Sequence, residues 1–474
     1  MAGITSYGAY IPAHRLDRAE IAKAWDIPGA PGEKAVANYD EDSITMSVAA
    51  CVDCLGDLNR QQVDGLFLAT TTSPFREKQA AAVVARALGL HTDVLTADYT
   101  NSLRSGTLAF KAALDAVNSG SLKQVLVVAA DCRIGAAQGM KEFSFGDGAA
   151  ALLVGESAEI AQILGSKTVF SDLMDVWRTT EDRFVRTWED RFSLGKGYVD
   201  ITTKAASAVM KICGLSPKDI HKAVLYSPDP RSHQNLAKAL GLDPMSQLQD
   251  SLFFTVGNTG TALTLMMLAG ALEEAKPGDR ILVTSYGDGS DAFIMELTEQ
   301  QGKIKSRKGI KGHLETKKML HNYNSYARIR QLIPIEPMTR PPKLIPSAVI
   351  QWRDSMQDLA LYGSRCNQCG KAQYPVQRIC AYCQAVDDFE PYSFSDKKAQ
   401  LFSYSFDNIG FSATDVPPVG CSVADFKGGG RIFCQMTDCS QDEAEIGMPI
   451  EMTFRIFYQV EGIPVYCWKT RPAK

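Results

Sequence analysis

The chain has 474 residues, 45% of them hydrophobic and 22% charged, with 50 Lys and Arg against 54 Asp and Glu for a net charge of -4. At roughly 100–200 residues per domain, this length predicts two to four domains with ordinary cores and excludes global disorder. The lack of a basic excess argues against a nucleic-acid binder, no apolar run approaches the ~20 residues that span a bilayer, and the opening MAGITSYGAYIPAHRLDRAE is no signal peptide, so the reading is a cytoplasmic protein with no membrane partner.

Residues 1–300 read as alternating strands and helices. VDGLFLATTT (63–72) is a buried strand and QAAAVVARALG (79–89) a helix closed by Gly89. VLVVAAD (125–131), ALLVG (151–155), AVLYSP (223–228) and ILVTSYG (281–287) are short runs rich in Val, Ile and Leu, the pattern of strands buried on both faces. The alternation implies an α/β fold. SGTLAFKAALDAVNSGSLKQVLVVAAD (105–131) and TGTALTLMMLAGALEEAKPGDRILVTSYG (259–287) share a Gly-Thr turn, an apolar helix, a second turn and a buried strand. Two copies about 150 residues apart read as one duplicated half rather than a solenoid, against the alternative that any two such units look alike.

Residues 301–345 hold eleven Lys or Arg and two acids, a net of +9, and include IPIEPMTRPPKLIP, whose prolines exclude a helix or central strand. The segment reads as a linker, and its run KIKSRKGIKGH as a solvated, mobile tether or as an attractor for a phosphorylated ligand. Beyond it come a predicted helix, AVIQWRDSMQDLALYG, and then AQLFSYSFDN, CSVADF, GRIFCQMTD and IEMTFRIFY, alternating runs that suggest a small antiparallel barrel.

The chain has 12 Cys, too few for a disulfide scaffold at this length, but four of them form two knuckles: Cys366 and Cys369, then Cys380 and Cys383. Four thiolates at that spacing suit a closed tetrahedral Zn²⁺ site of structural type, with a redox dithiol as the alternative. The other Cys read as core residues or inert thiols.

FSFGDGAAALLVG (143–155), VGNTGTALT (256–264) and SYGDGSDAF (285–293) resemble the glycine-rich turns of the thiolase superfamily, nearest to the branch of 3-hydroxy-3-methylglutaryl-CoA synthase and β-ketoacyl synthase III. The opening GITSYGAYIPAHRL resembles the same branch, and the likeness runs over about residues 2–297. YGSRCNQCGKAQYPVQRICAYC followed by LFSYSFDN resembles the DUF35 family, a zinc ribbon followed by an OB-fold, over residues 350–474. The resemblance implies a duplicated five-layer α/β/α/β/α domain with halves at 1–165 and 166–300, the linker at 301–345, a helix and four-cysteine ribbon at 346–390 and an OB-fold at 391–474. It also implies self-dimerisation through the thiolase-like domain, a coenzyme A thioester as ligand and C–C bond chemistry.

Residue by residue, the resemblance places the family's nucleophilic Cys at Leu103, its Glu at Thr71 and the His of its H-x-P pattern at Tyr226, ahead of Pro228. The Asn of the GN turn is retained as Asn258. Ser102 and Ser105 flank Leu103 without a base to activate them. His233 reads as a surface residue of the following helix, Cys132 as a core thiol, and Asp147 and Asp288 as Asx-type stabilisers of their own Gly-Asp-Gly turns. Arg231 falls where the synthase branch carries a Lys near the CoA phosphates, and the basic linker is a second candidate for that contact.

The site is therefore expected to be degenerate. The resemblance then implies an accessory subunit of an acyl-CoA thiolase or acyltransferase complex, scaffolding a separate thiolase chain that carries the reactive Cys. The alternative is an active Claisen-type acyl-CoA enzyme with an unconventional site around Asn258. A zinc-ribbon nucleic-acid module, the third reading, is disfavoured by the net charge of -4.

Overall fold

The computed structural model describes residues 2–301, 307–334, 336, 347–410, 415–460 and 462–473. Most of IPIEPMTRPPKLIP and the start of the basic run (303–306) lie outside the described residues. The chain forms two compact units: one holds the chain through Ala37 with Asp42–Ala82 and Thr92–Tyr326, the other Asn38–Glu41, Val83–His91 and the chain from Ala327 on.

The strands of the first unit's main sheet are β1 (Gly3–Tyr10), β2 (Gly65–Ala69), β3 (Leu95–Tyr99), β4 (Val125–Asp131), β5 (Gly148–Gly155), β6 (Ala161–Phe170), β7 (Lys222–Leu225), β8 (Arg280–Tyr286) and β9 (Gly289–Leu297). Their order is β7-β8-β9-β6-β1-β5-β4-β2-β3. β1 and β6 meet only at Gly3–Gln162 and Ile4–Ala161, and this seam divides two half-sheets of one design. In the first half β1 runs antiparallel to β5, β5 antiparallel to β4, and β4 and β2 parallel to their next neighbours. In the second half β6, β9, β8 and β7 repeat that order and those directions, with a parallel bridge from Ala223 to Leu248 where the fifth strand would lie. The duplication seen in the sequence is thus present in strand order and direction.

Each half uses its helices alike. The helices include α1 (Ser43–Leu55), α2 (Ser105–Asn118), α3 (Asp200–Ile212), α4 (Pro230–Ala239), α5 (Leu263–Glu274) and α6 (Gly309–Glu315), among others. α2 leads into β4 and α5 into β8, the two copies of the repeat, and the two helices pack on each other. In α5 every residue from Leu263 to Leu272 is buried, as a helix apolar on all sides requires when it lies between layers. The result is the expected five-layer α/β/α/β/α thiolase-like arrangement.

The linker expectation is corrected for residues 307–326. α6 is seated on the first unit, its start held by two distant carboxylates: Asp53 of α1 accepts from Lys308 N and Gly309 N at 2.9 and 3.0 Å, and Glu273 of α5 accepts from Ile310 N at 2.6 Å. Tyr323 donates to the buried Glu142 at 2.7 Å. The described part of the basic run is therefore packed structure and not a tether.

In the second unit the predicted helix is two short ones, Ala348–Arg353 and Ser355–Asp358, and the ribbon follows with strands Tyr362–Cys366, Ala372–Gln373 and Phe389–Ser393. The barrel closes in the order Ala399–Asp407, Val419–Phe426, Arg431–Met436, Ile463–Pro472, Pro449–Val460. Four of these strands were legible in the sequence; the fifth, Ile463–Pro472, completes the barrel. It joins Arg431–Met436 in parallel at Met436–Thr470, so the barrel is not wholly antiparallel.

Candidate functional site

Two glycine-rich turns build the site. Ahead of α2, Ser102 Oγ and Arg104 Nε both donate to Gly287 O, at 3.0 and 2.7 Å, and Arg104 Nη1 pairs with the buried Asp291 at 2.9 Å. A Cβ at Gly287 would lie 2.8 Å from Leu103 N, so this close approach needs glycine. The other half repeats the device. Asn258 N donates to Ser144 O at 2.7 Å and Gly146 N to Asn258 O at 3.1 Å, and a Cβ at Gly146 would lie 1.9 Å from Val256 O. Leu103 and Asn258 are thereby fixed on two facing loops.

Between the loops lies a cavity of about 1150 Å³, and Thr71, Leu103, Tyr226 and Asn258 all line it. The four positions singled out by resemblance thus share one site. Among the described residues lining it there is no Cys, His or Glu. Thr71 is tied down: its N and Oγ1 donate to the buried Asp131 at 2.7 and 2.8 Å. Tyr226 is buried, and burial raises its phenol above the usual range, so it stays neutral. Asn258 Nδ2 donates to Ser227 O at 3.2 Å and to Tyr226 Oη at 3.4 Å, while its Oδ1 accepts from Arg133 Nη2 at 2.7 Å and Gly260 N at 2.9 Å. Leu103 contributes only hydrocarbon.

Other sequence candidates fall outside this cavity. Arg231 is exposed on the first turn of α4 and is not among the lining residues. The lining cations that are exposed are Arg76, Lys78 and Arg178. His233 is corrected: it is on α4, as spacing suggested, but faces inward, and desolvation pushes its pKa down to about 4. Cys132 Sγ lies 3.7 Å from Thr72 Oγ1 and from Ser43 Oγ, half-buried and off the cavity. Asp147 reaches across to accept from Ala37 N at 2.7 Å, and Asp288 adopts φ +50° in the hairpin turn between β8 and β9.

Sequence reasoning missed Arg133, Lys141 and Asp175, which also line the cavity. Burial raises the Asp175 carboxyl, which accepts from Tyr286 Oη at 2.8 Å. The signal for Arg133 was its place two residues beyond β4, where a strand delivers side chains to a site.

In the second unit, Cys366, Cys369, Cys380 and Cys383 bring their sulfurs within 4.8 Å of one another, with two pairs at 3.6 Å. Zn–S bonds of about 2.3 Å in a tetrahedron give S···S edges of about 3.8 Å, so the set fits one ion with no open coordination position.

Comparison with known proteins agrees with both units. Residues 97–171 and 210–297 match the families described as 3-oxoacyl-[acyl-carrier-protein (ACP)] synthase III and its C terminal part. Hydroxymethylglutaryl-CoA synthase of Pyrococcus furiosus is 31% identical over 339 residues, covering 69% of this chain and 96% of that protein. That of Thermococcus sibiricus is 33% identical over 338 residues, covering 69% and 95%. The chain belongs to the hydroxymethylglutaryl-CoA synthase family. A solved HMG-CoA synthase complexed with CoA matches with TM-score 0.63 at 20% identity over 73% of this chain and 95% of that one, and shows the shared fold. The curacin-pathway HMG synthase in complex with acetyl donor-ACP matches with TM-score 0.61 at 22% identity, over 69% and 88%. This synthase-family chain carries an addition: residues 354–390 match the ChsH2 rubredoxin-like zinc ribbon domain and 393–455 the ChsH2 C-terminal OB-fold domain. Among the described residues no helix is long and apolar enough to cross a membrane.

Proposed function

We propose that this chain is a non-catalytic member of its family, which holds an acyl-CoA in the cavity and works beside a separate thiolase chain carrying the reactive Cys. The observation that carries the reading is the lining itself: Leu103, Thr71 and Tyr226 occupy it with Asn258, and it offers no Cys, His or Glu among the described residues. Acyl transfer to the protein needs a nucleophilic atom and a base to activate it. Leu103 supplies no such atom, and the Thr71 hydroxyl is spent on Asp131.

Holding a ligand is a different demand, and the cavity meets it. About 1150 Å³ lies just above the range of ordinary ligand pockets, room enough for a long ligand. The solved relative complexed with CoA supports acyl-CoA as the occupant. Arg76, Lys78 and Arg178 are the candidates for its phosphates, in place of Arg231. The four-cysteine ribbon would hold Zn²⁺ as a structural ion that fixes its two knuckles. The fusion of a synthase-like unit with a ribbon and barrel supports a scaffolding role in a larger thiolase or acyltransferase assembly.

The test is to co-express the chain with a thiolase encoded beside it, purify by a tag on this chain, and assay thiolysis of 3-oxoacyl-CoAs. Activity is expected only in the co-purified complex and is lost when the thiolase Cys is replaced. Thiolysis or condensation by this chain alone, lost on Asn258→Ala, would instead make it a Claisen-type enzyme with an unconventional site.

A further inference from the structure

Two lysines line the cavity, and they differ in shelter: Lys78 is exposed and Lys141 half-buried. Lys141 stands on the short helix Met140–Ser144, whose last residue also lines the cavity and accepts from Asn258 N at 2.7 Å. The helix thus carries the amine to the same wall as the loop of Asn258. Among the described residues Lys141 Nζ has one hydrogen bond, to the neutral Thr187 Oγ1 at 2.9 Å, and no carboxylate within ion-pair distance. Desolvation lowers its pKa, with Asp190 on the same lining opposing and Arg133 acting in the same sense. Lysine yields to burial in this way because its charge is compact and strongly hydrated.

The other candidate nucleophiles of the wall are absent or engaged. Leu103 brings no sulfur, Ser102 Oγ donates to Gly287 O at 3.0 Å, and Thr71 Oγ1 donates to Asp131 at 2.8 Å. A hydroxyl needs a base to activate it. A desolvated amine does not, since its lone pair is free once the ammonium has given a proton to water. Lys141 is therefore the sheltered nucleophile of the cavity.

We propose that Lys141 is a self-modification site, which takes onto Nζ the acyl group of an acyl-CoA held in the cavity. This rests on the reading of the cavity as an acyl-CoA site. The amine lone pair attacks the thioester carbonyl carbon, the N–C bond forms, and the C–S bond breaks with its electron pair leaving on sulfur. The proton lost from nitrogen goes to that sulfur, so the products are an Nε-acyl-lysine and free CoA thiol. A cavity that holds donor and amine together supplies the proximity that a thioester in solution lacks. One acyl group stays on each chain, so the step is a modification and not a turnover. It removes the Lys141 charge and fills part of the ligand's space, and the acylated chain should bind acyl-CoA more weakly.

The test is to incubate the full chain with acetyl-CoA at mildly alkaline pH and follow acetylation of every lysine by peptide mass spectrometry, with calorimetric titration of acetyl-CoA alongside. Proximity predicts that Lys141 is acetylated at least roughly tenfold faster than Lys78 and the other exposed lysines. Excess free CoA should slow Lys141 and leave the exposed lysines as they were, and Lys141→Arg should remove the fast phase of the mass increase. Acetyl-CoA binding with Lys141 labelled no faster than Lys78 would overturn the proposal and leave the acyl-CoA reading standing. Fast labelling that free CoA does not slow would also overturn it, because the donor would then come from solution. Absence of both binding and selective labelling would overturn both. The wild-type map decides the matter even if Lys141→Arg does not fold.

Discussion

Leu103 sits two residues ahead of α2, where helix amides would stabilise a thiolate if a sulfur were present. Restoring that sulfur does not restore a reaction. Thr71, where the family's Glu would stand, is no base and its Oγ1 is bound to Asp131 at 2.8 Å, and Tyr226, where the His would stand, is a phenol held neutral by burial. Groups that act as a unit are strongly non-additive, so one of three brings back little by itself. Leu103→Cys should therefore give a thiol that iodoacetamide alkylates, detectable by mass spectrometry, with no condensation of acetyl-CoA and acetoacetyl-CoA above the wild-type background. Measurable condensation by that single variant would sink the degenerate-site reading. At this scale the aligned positions were legible because Leu103 and Asn258 sit on glycine turns, Thr71 follows a buried strand and Tyr226 precedes Pro228. His233 was not, since spacing puts a residue on a helix without saying which face it occupies. Arg133 was missed for another reason: its one signal, a place just beyond a strand, is shared by many residues, and its meaning arises from Phe145 and from Asn258, 125 residues on.

The contact between the turn at 143–148 and the turn at 256–260 shows what the element scale adds. Two backbone hydrogen bonds join them, Asn258 N to Ser144 O and Gly146 N to Asn258 O, and the approach leaves no room for a Cβ at Gly146. Gly146→Ala must push the Val256 carbonyl away and with it the loop that carries Asn258. Overpacking of this kind costs roughly 1–3 kcal/mol. Thermal unfolding should show that loss, and acyl-CoA affinity should fall with it; an unchanged variant would mean the loops do not depend on this contact. The buried strands were legible nearly to the residue, as with Val125–Asp131, because a strand covered on both faces is a pure apolar run. The fifth barrel strand was not, since Pro464 and Pro472 near its ends make it read as a break. Nor was α6, whose start is held by Asp53 and Glu273, more than 30 residues away in sequence.

At the scale of the whole molecule the chain order misleads most. The composition places the second unit after residue 300, yet Asn38–Glu41 and Val83–His91 belong to it. Within that unit Asp40 accepts from Arg455 Nη1 at 3.2 Å and Lys469 Nζ at 2.9 Å, and Glu41 and Asp438 also pair with Arg455. These side chains are at most 6% exposed, so their charges have little water to fall back on. Removing one member of a buried pair leaves the other uncompensated and costs about 3–5 kcal/mol. Asp40→Asn keeps the volume and removes the charge opposite Lys469, for which Asp40 is the ion-pair partner among the described residues. The substitution lies near the N-terminus of the chain, but its effect should fall on the barrel. In denaturant, hydrogen exchange followed by mass spectrometry should show peptides from 419–472 losing protection at lower concentration than in wild type, with β4 and β5 unchanged. Loss confined to peptides of the first unit would show that the buried charges serve that unit, and the assignment of Asn38–Glu41 to the barrel's unit would fail.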